Sequence, residues 1–77
     1  MDIRELRMKF TEKYSEMYEK EDTVDGFDEA VDEFDEKLAF DTDGFRSLVE
    51  QFVDYHGDFI SSDREAAAFI FALREMN

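Results

Sequence analysis

Apolar residues recur along this chain at intervals of three and four, the spacing that lines one side of a helix at 3.6 residues per turn. Ile3, Leu6, Phe10, Tyr14 and Met17 form the first such stripe, and Asp2 with Glu5 ahead of it has the spacing of a helix-capping box. Glu5 with Lys9 and Glu16 with Lys20 are spaced as favourable pairs on the wet side. EDTVDG then breaks the pattern, and Asp25 is placed to cap a second helix with the stripe Phe27, Ala30, Val31, Phe34 and Leu38. DTDG marks the next turn. Asp43 is placed to cap a third helix carrying Phe45, Leu48, Val49, Phe52 and His56 inward, and Gly57 suits its end. Ser62 and Glu65 repeat the capping-box spacing before EAAAFIFALREM, where Ala66, Phe69, Ile70 and Leu73 share a face and Phe71 points roughly the opposite way. A helix apolar almost all round is either the most buried element or carries a second contact surface. No stretch alternates as a strand does. The expected fold is all-α, a compact bundle of about four short helices in a single domain over residues 1–77.

Two of these helices begin alike: DGFDEAVDEF at 25–34 and DGFRSLVEQF at 43–52 share the frame DGFxxxVxxF. Two copies fall short of a solenoid. The shared Phe and Val positions are expected to build the core, leaving the intervening positions of each copy free for a surface. In the first copy those positions are acidic.

That difference gives the charge its meaning. The chain of 77 residues has a net charge of −13 and no cysteine, which excludes thiol nucleophiles, CxxC redox chemistry and cysteine-ligated zinc. With no disulfide to staple so small a core, the nine phenylalanines are expected to supply the packed interior. No apolar run is long enough for a membrane span or has the form of a signal peptide, so a soluble, cytoplasmic protein is expected. Residues 1–20 balance to zero, residues 21–45 hold eleven acids against one base, and residues 46–77 sum to −3. Such a surface repels nucleic acid and attracts basic proteins or cations.

Asp28, Glu29, Asp32, Glu33, Asp35 and Glu36 fall on the arc opposite the second stripe, with Asp25 just ahead of them. Residues four apart stand about 6 Å apart along a helix axis, a spacing of the order of successive phosphates on a nucleic-acid strand. Like charges at that interval cost about 0.2–0.5 kcal/mol per pair, with only Lys37 as local relief. A solvated helix face would also be charged, and so would a surface adapted to high salt. Salt adaptation spreads acid over the whole surface, however, whereas here it is segregated.

Catalytic and metal readings have less to stand on. His56 is the one histidine, and its place on an apolar stripe near a helix end suits packing. Twenty-two carboxylates make acid pairs inevitable, so no enzyme is expected. Set on an EF-hand loop with Gly44 at position 6, Asp41, Asp43 and Glu50 take positions 3, 5 and 12, but Ala39 falls where a ligand is required and Arg46 where an apolar anchor belongs. The other copy gives Glu21, Thr23, Asp25 and Asp32, with Asp28 at the apolar position. Neither loop is complete, and no metal or cofactor is expected. GFRSL, with Gly44, Ser47 and Leu48, resembles the GxDSL motif of acyl carrier proteins, whose serine bears phosphopantetheine; Arg46 replaces the aspartate.

In composition and charge layout over its whole length, the chain resembles the small acidic DNA-mimic inhibitors of phages and mobile elements, of anti-CRISPR and anti-restriction type. That resemblance implies a non-catalytic inhibitor that occludes the nucleic-acid groove of a basic protein or ribonucleoprotein complex without binding nucleic acid itself. Asp25, Asp28, Glu29, Asp32, Glu33, Asp35 and Glu36 would be the contact residues. Bacterial toxin-immunity proteins, also small, acidic and helical, are a neighbouring resemblance. A monomer is favoured over a homodimer through Phe71, on the expectation that the other rings enclose it.

Overall fold

In the computed structural model, which describes residues 1–18, 20 and 23–76, four helices follow one another: α1 (Ile3–Met17), α2 (Phe27–Phe40), α3 (Phe45–His56) and α4 (Asp63–Glu75). They form an all-α bundle. α1 and α2 each pack on α4 and on α3, so α4 and α3 lie between them. Glu21 and Asp22 of the EDTVDG break lie outside the described residues.

The helix starts follow two chemistries. Asp2 accepts from the Arg4 N–H at 2.9 Å and caps α1, but the reciprocal bond expected of Glu5 is not formed. Ser62 caps α4 by accepting from the Glu65 N–H at 3.2 Å, and its hydroxyl donates to Glu65 Oε1 at 2.9 Å. α2 and α3 start differently. Their caps are Gly26 (φ 78, ψ 15) and Gly44 (φ 77, ψ 28), with no side-chain bond, so neither Asp25 nor Asp43 is the cap its position suggests. Both repeats enter their helices through the same left-handed residue, a conformation glycine adopts without the steric cost a Cβ brings. The aspartates are one residue too early. Gly57 ends α3 as expected, its N–H donating to the Val53 carbonyl at 2.8 Å.

The core follows the stripes. Leu6, Phe10 and Met17 of α1, Ala30 and Phe34 of α2, and Phe45 and Phe52 of α3 are buried, with Ile3, Tyr14, Phe27, Val31, Leu38, Leu48 and Val49 packed against them. α4 is the most buried helix: Ala66, Ala67, Ala68, Phe69, Ile70 and Ala72 are all enclosed. The small alanine side chains allow neighbouring helices to approach its backbone closely. Phe69 is the hub of the rings, with centroids of Phe34, Phe45 and Phe52 at 5.8, 5.7 and 5.1 Å, each edge-on. Edge-to-face pairs of this kind add about 0.5–1.5 kcal/mol beyond the area they bury. The last phenylalanines of the two repeats, Phe34 and Phe52, thus meet the same ring of α4.

Not every phenylalanine joins them. Five of the nine are buried, Phe27 and Phe71 are half-buried, and Phe40 and Phe59 are 77% and 75% exposed. Phe71 is therefore not enclosed as expected, but lines an open groove. Among the described residues no helix is long and apolar enough to cross a membrane.

Candidate functional site: an acidic helix face

α2 presents its stripe to α3 and α4, which turns the positions between the apolar residues outward. Asp28, Glu29, Asp32, Asp35 and Glu36 are exposed, and so is Asp25 in the turn before the helix. No hydrogen bond or ion pair engages any of these six among the described residues. Three like-charged positions, 28, 32 and 36, form a row along the helix, and 29 and 35 flank it, so the face is a strip of uncompensated negative charge.

Glu33 behaves differently. Its carboxylate accepts from Arg74 Nη2 of α4 at 2.8 Å and lies 3.9 Å from Lys37 Nζ, and it is half-buried. It belongs to the α2–α4 contact rather than to the open strip. Lys37 is thus not the sole local relief: the second cation arrives from a residue 41 positions away, beyond the reach of any helical spacing rule.

On α1, Lys9 and Lys13 are spent on internal partners. Lys13 Nζ bonds Glu75 and lies 3.5 Å from Glu16, while Lys9 lies 3.7 Å from Glu75. Both expected pairs of α1 thus give way, Glu5–Lys9 to a tie with α4 and Glu16–Lys20 to Glu16–Lys13. The hydrogen bond from Lys13 holds the Glu75 carboxyl below its ordinary value, and the same bond raises the lysine.

The DTDG turn is a helix junction. Asp41 (φ 50) ends α2 in the left-handed region, which aspartate tolerates better than most residues. Its Oδ1 accepts from the Arg46 N–H at 3.0 Å, a service to α3 that the sequence suggests for Asp43. Arg46 reaches back to donate from Nε to the Leu38 carbonyl and from Nη2 to the Ala39 carbonyl, each at 2.8 Å. A cation on the last carbonyls of α2 suits the negative end of the helix dipole. In the EF-hand alignment Ala39 is position 1, and its carbonyl is taken by this guanidinium. Among the described residues no group of three or more His, Cys, Asp or Glu is placed to hold a metal ion. Ser47 is exposed and its Oγ accepts from Gln51 Nε2 at 3.4 Å. The position where acyl carriers have an aspartate holds Arg46, committed to α2, so the surroundings of Ser47 lack the acid of that motif.

His56 is half-buried, stacked on Phe52 at 5.2 Å and edge-on to Phe10 at 5.4 Å. Its Nδ1 accepts from Arg7 Nε at 3.3 Å. These contacts give it a packing role linking α1 and α3.

No family model matches the chain, and no curated protein or solved structure matches it.

Proposed function

We propose that this protein is a non-catalytic inhibitor, of the DNA-mimic and anti-CRISPR-like kind, whose acidic α2 face occupies the nucleic-acid groove of a basic protein or ribonucleoprotein. One observation carries the reading: Asp28, Glu29, Asp32, Asp35 and Glu36 share one exposed face of a single helix, and none of the five has an internal partner among the described residues. A helix surface that only needed solvation would gain from interspersed lysines. A strip of fixed carboxylates at about 6 Å intervals offers a basic groove what a phosphate backbone offers it. The partner's lysines and arginines would release counterions on docking, as they do on DNA.

The test replaces Asp28, Asp32 and Glu36 together by lysine, sparing Glu33 because it ties α2 to α4. Wild-type chain is expected to capture from a bacterial lysate a basic nucleic-acid-binding protein that duplex DNA displaces and that rising salt releases. The triple variant, with unchanged helix content, is expected to capture none of it. Equal capture by both chains, or a captured protein that DNA does not displace, would reject the mimic. A basic nuclease as the captured protein would make this an inhibitor of the toxin-immunity kind.

A further inference from the structure

Beside the acidic face, the last turns of α1 and α4 and the Val24–Asp25 turn enclose a groove of about 310 Å³. Its floor is apolar, with Met17 buried and Val24 and Phe71 half-buried. Its rim carries charges of both signs, and they are not equivalent. Lys13 is occupied by Glu75 and Glu16, and Arg74 is occupied by Glu33. Asp25 is the rim carboxylate that has no partner among the described residues. It does not cap α2, so no structural duty explains it.

We propose that this groove receives an arginine side chain of the basic partner, its methylene stem over Met17, Val24 and Phe71 and its guanidinium on Asp25. The proposal rests on the acidic-face reading and names the anchor of that interface. Charge decides the occupant. A wholly apolar side chain would strip water from Asp25 and leave it unpaired. An anionic one would meet Asp25 directly, and the cations that could answer it are already taken. A long cationic side chain suits both parts, because its stem covers apolar surface while its head stays polar. Arginine fits better than lysine: its planar fork matches both oxygens of a carboxylate, and it gives up water more readily. The Arg74 guanidinium already sits 5.3 Å from the centre of the Phe71 ring, so this floor is compatible with a guanidinium. The groove also adjoins the helix that bears the acidic strip, since Arg74 on its rim bonds Glu33 of α2 and Asp25 lies immediately before the α2 cap. A single partner surface can therefore reach both, with a pocketed anchor beside an electrostatic strip.

The experiment is an NMR titration of the full chain, followed at the Met17 and Val24 methyl groups and at the α2 amides, with a six-residue arginine peptide. A lysine peptide of equal length and spermine serve as charge controls. The arginine peptide is expected to shift both methyl groups and the α2 amides, whereas the controls shift the α2 amides and leave the methyl groups nearly still. Asp25→Asn should weaken the arginine peptide roughly two- to fivefold, the range an exposed ion pair supports. Shifts confined to α2 with the arginine peptide would overturn the anchor and leave the acidic face standing. Equal methyl shifts with lysine or spermine would overturn the choice of arginine. Absence of any shift would overturn both readings.

Discussion

Replacing Asp32 by asparagine should make the protein more stable. Asp32 is exposed near the middle of α2 with no internal partner, and Asp28, Glu29, Asp35 and Glu36 stand four or three positions to either side. Each like-charge pair at those spacings costs about 0.2–0.5 kcal/mol, so four of them bound the relief at about 1–2 kcal/mol. Asparagine and aspartate have nearly equal helix propensity, and position 32 lies beyond the first turn, where the helix dipole favours an acid. A net gain of about 1 kcal/mol at low salt corresponds to a rise in Tm of about 4–8 °C for a domain of this size. The assay is thermal unfolding by circular dichroism at low ionic strength and in 1 M salt. There the Debye length falls to about 3 Å and most of the gain should vanish. Glu33→Gln is the internal control: it also removes an acid, but it breaks the bond to Arg74, so no comparable gain is expected. A lowered Tm for Asp32→Asn, or a gain that salt leaves untouched, would show that the strip is not self-repelling and that its acids are answered within the fold.

Ser62→Ala removes the cap of α4 and should cost about 1 kcal/mol, read as a lower urea midpoint with an unchanged m-value. The pH dependence follows from Lys13 and Glu75. Glu75 titrates below its ordinary value in the fold, so its contribution is present above that value and is lost as pH falls through the depressed folded value; Lys13 is raised, so its contribution is lost only at the alkaline end. Lys13→Met should therefore flatten the acid limb of the stability profile, and an unchanged limb would show that the pair is not coupled to folding.

The core was legible because burial obeys periodicity. Leu6, Phe10, Phe34, Phe52 and Phe69 fall where stripes of three and four put them, and Asp2, Ser62 and Gly57 close their helices with the chemistry their residue types suggest. Asp25 and Asp43 misled because a glycine after an aspartate can take the cap position itself, and sequence spacing does not say which of the two residues turns. The acids of α2 were legible as a face, since helical geometry alone puts them opposite Phe34. The exception at Glu33 was not, because it depends on which helix lies alongside, and Arg74 joins it only once α4 has docked. Arg46 is a similar case: its guanidinium acts on carbonyls of the preceding helix, whose ends must already be placed. Composition alone puts Phe40 and Phe59 inside, yet Phe40 is the last residue of α2 and Phe59 lies in the connection between α3 and α4, where no stripe claims them.

The placement of α1 and α2 on either side of α3 and α4 has a physical consequence of its own. α1 lies in the part of the chain that balances to zero, whereas α2 carries nearly all of its charge as acid, so the centre of negative charge is displaced from the centre of mass. The molecule is a permanent electric dipole as well as an anion. Near an extended positive surface it would experience a torque that turns α2 forward before contact, so that fewer of its collisions arrive in the wrong orientation.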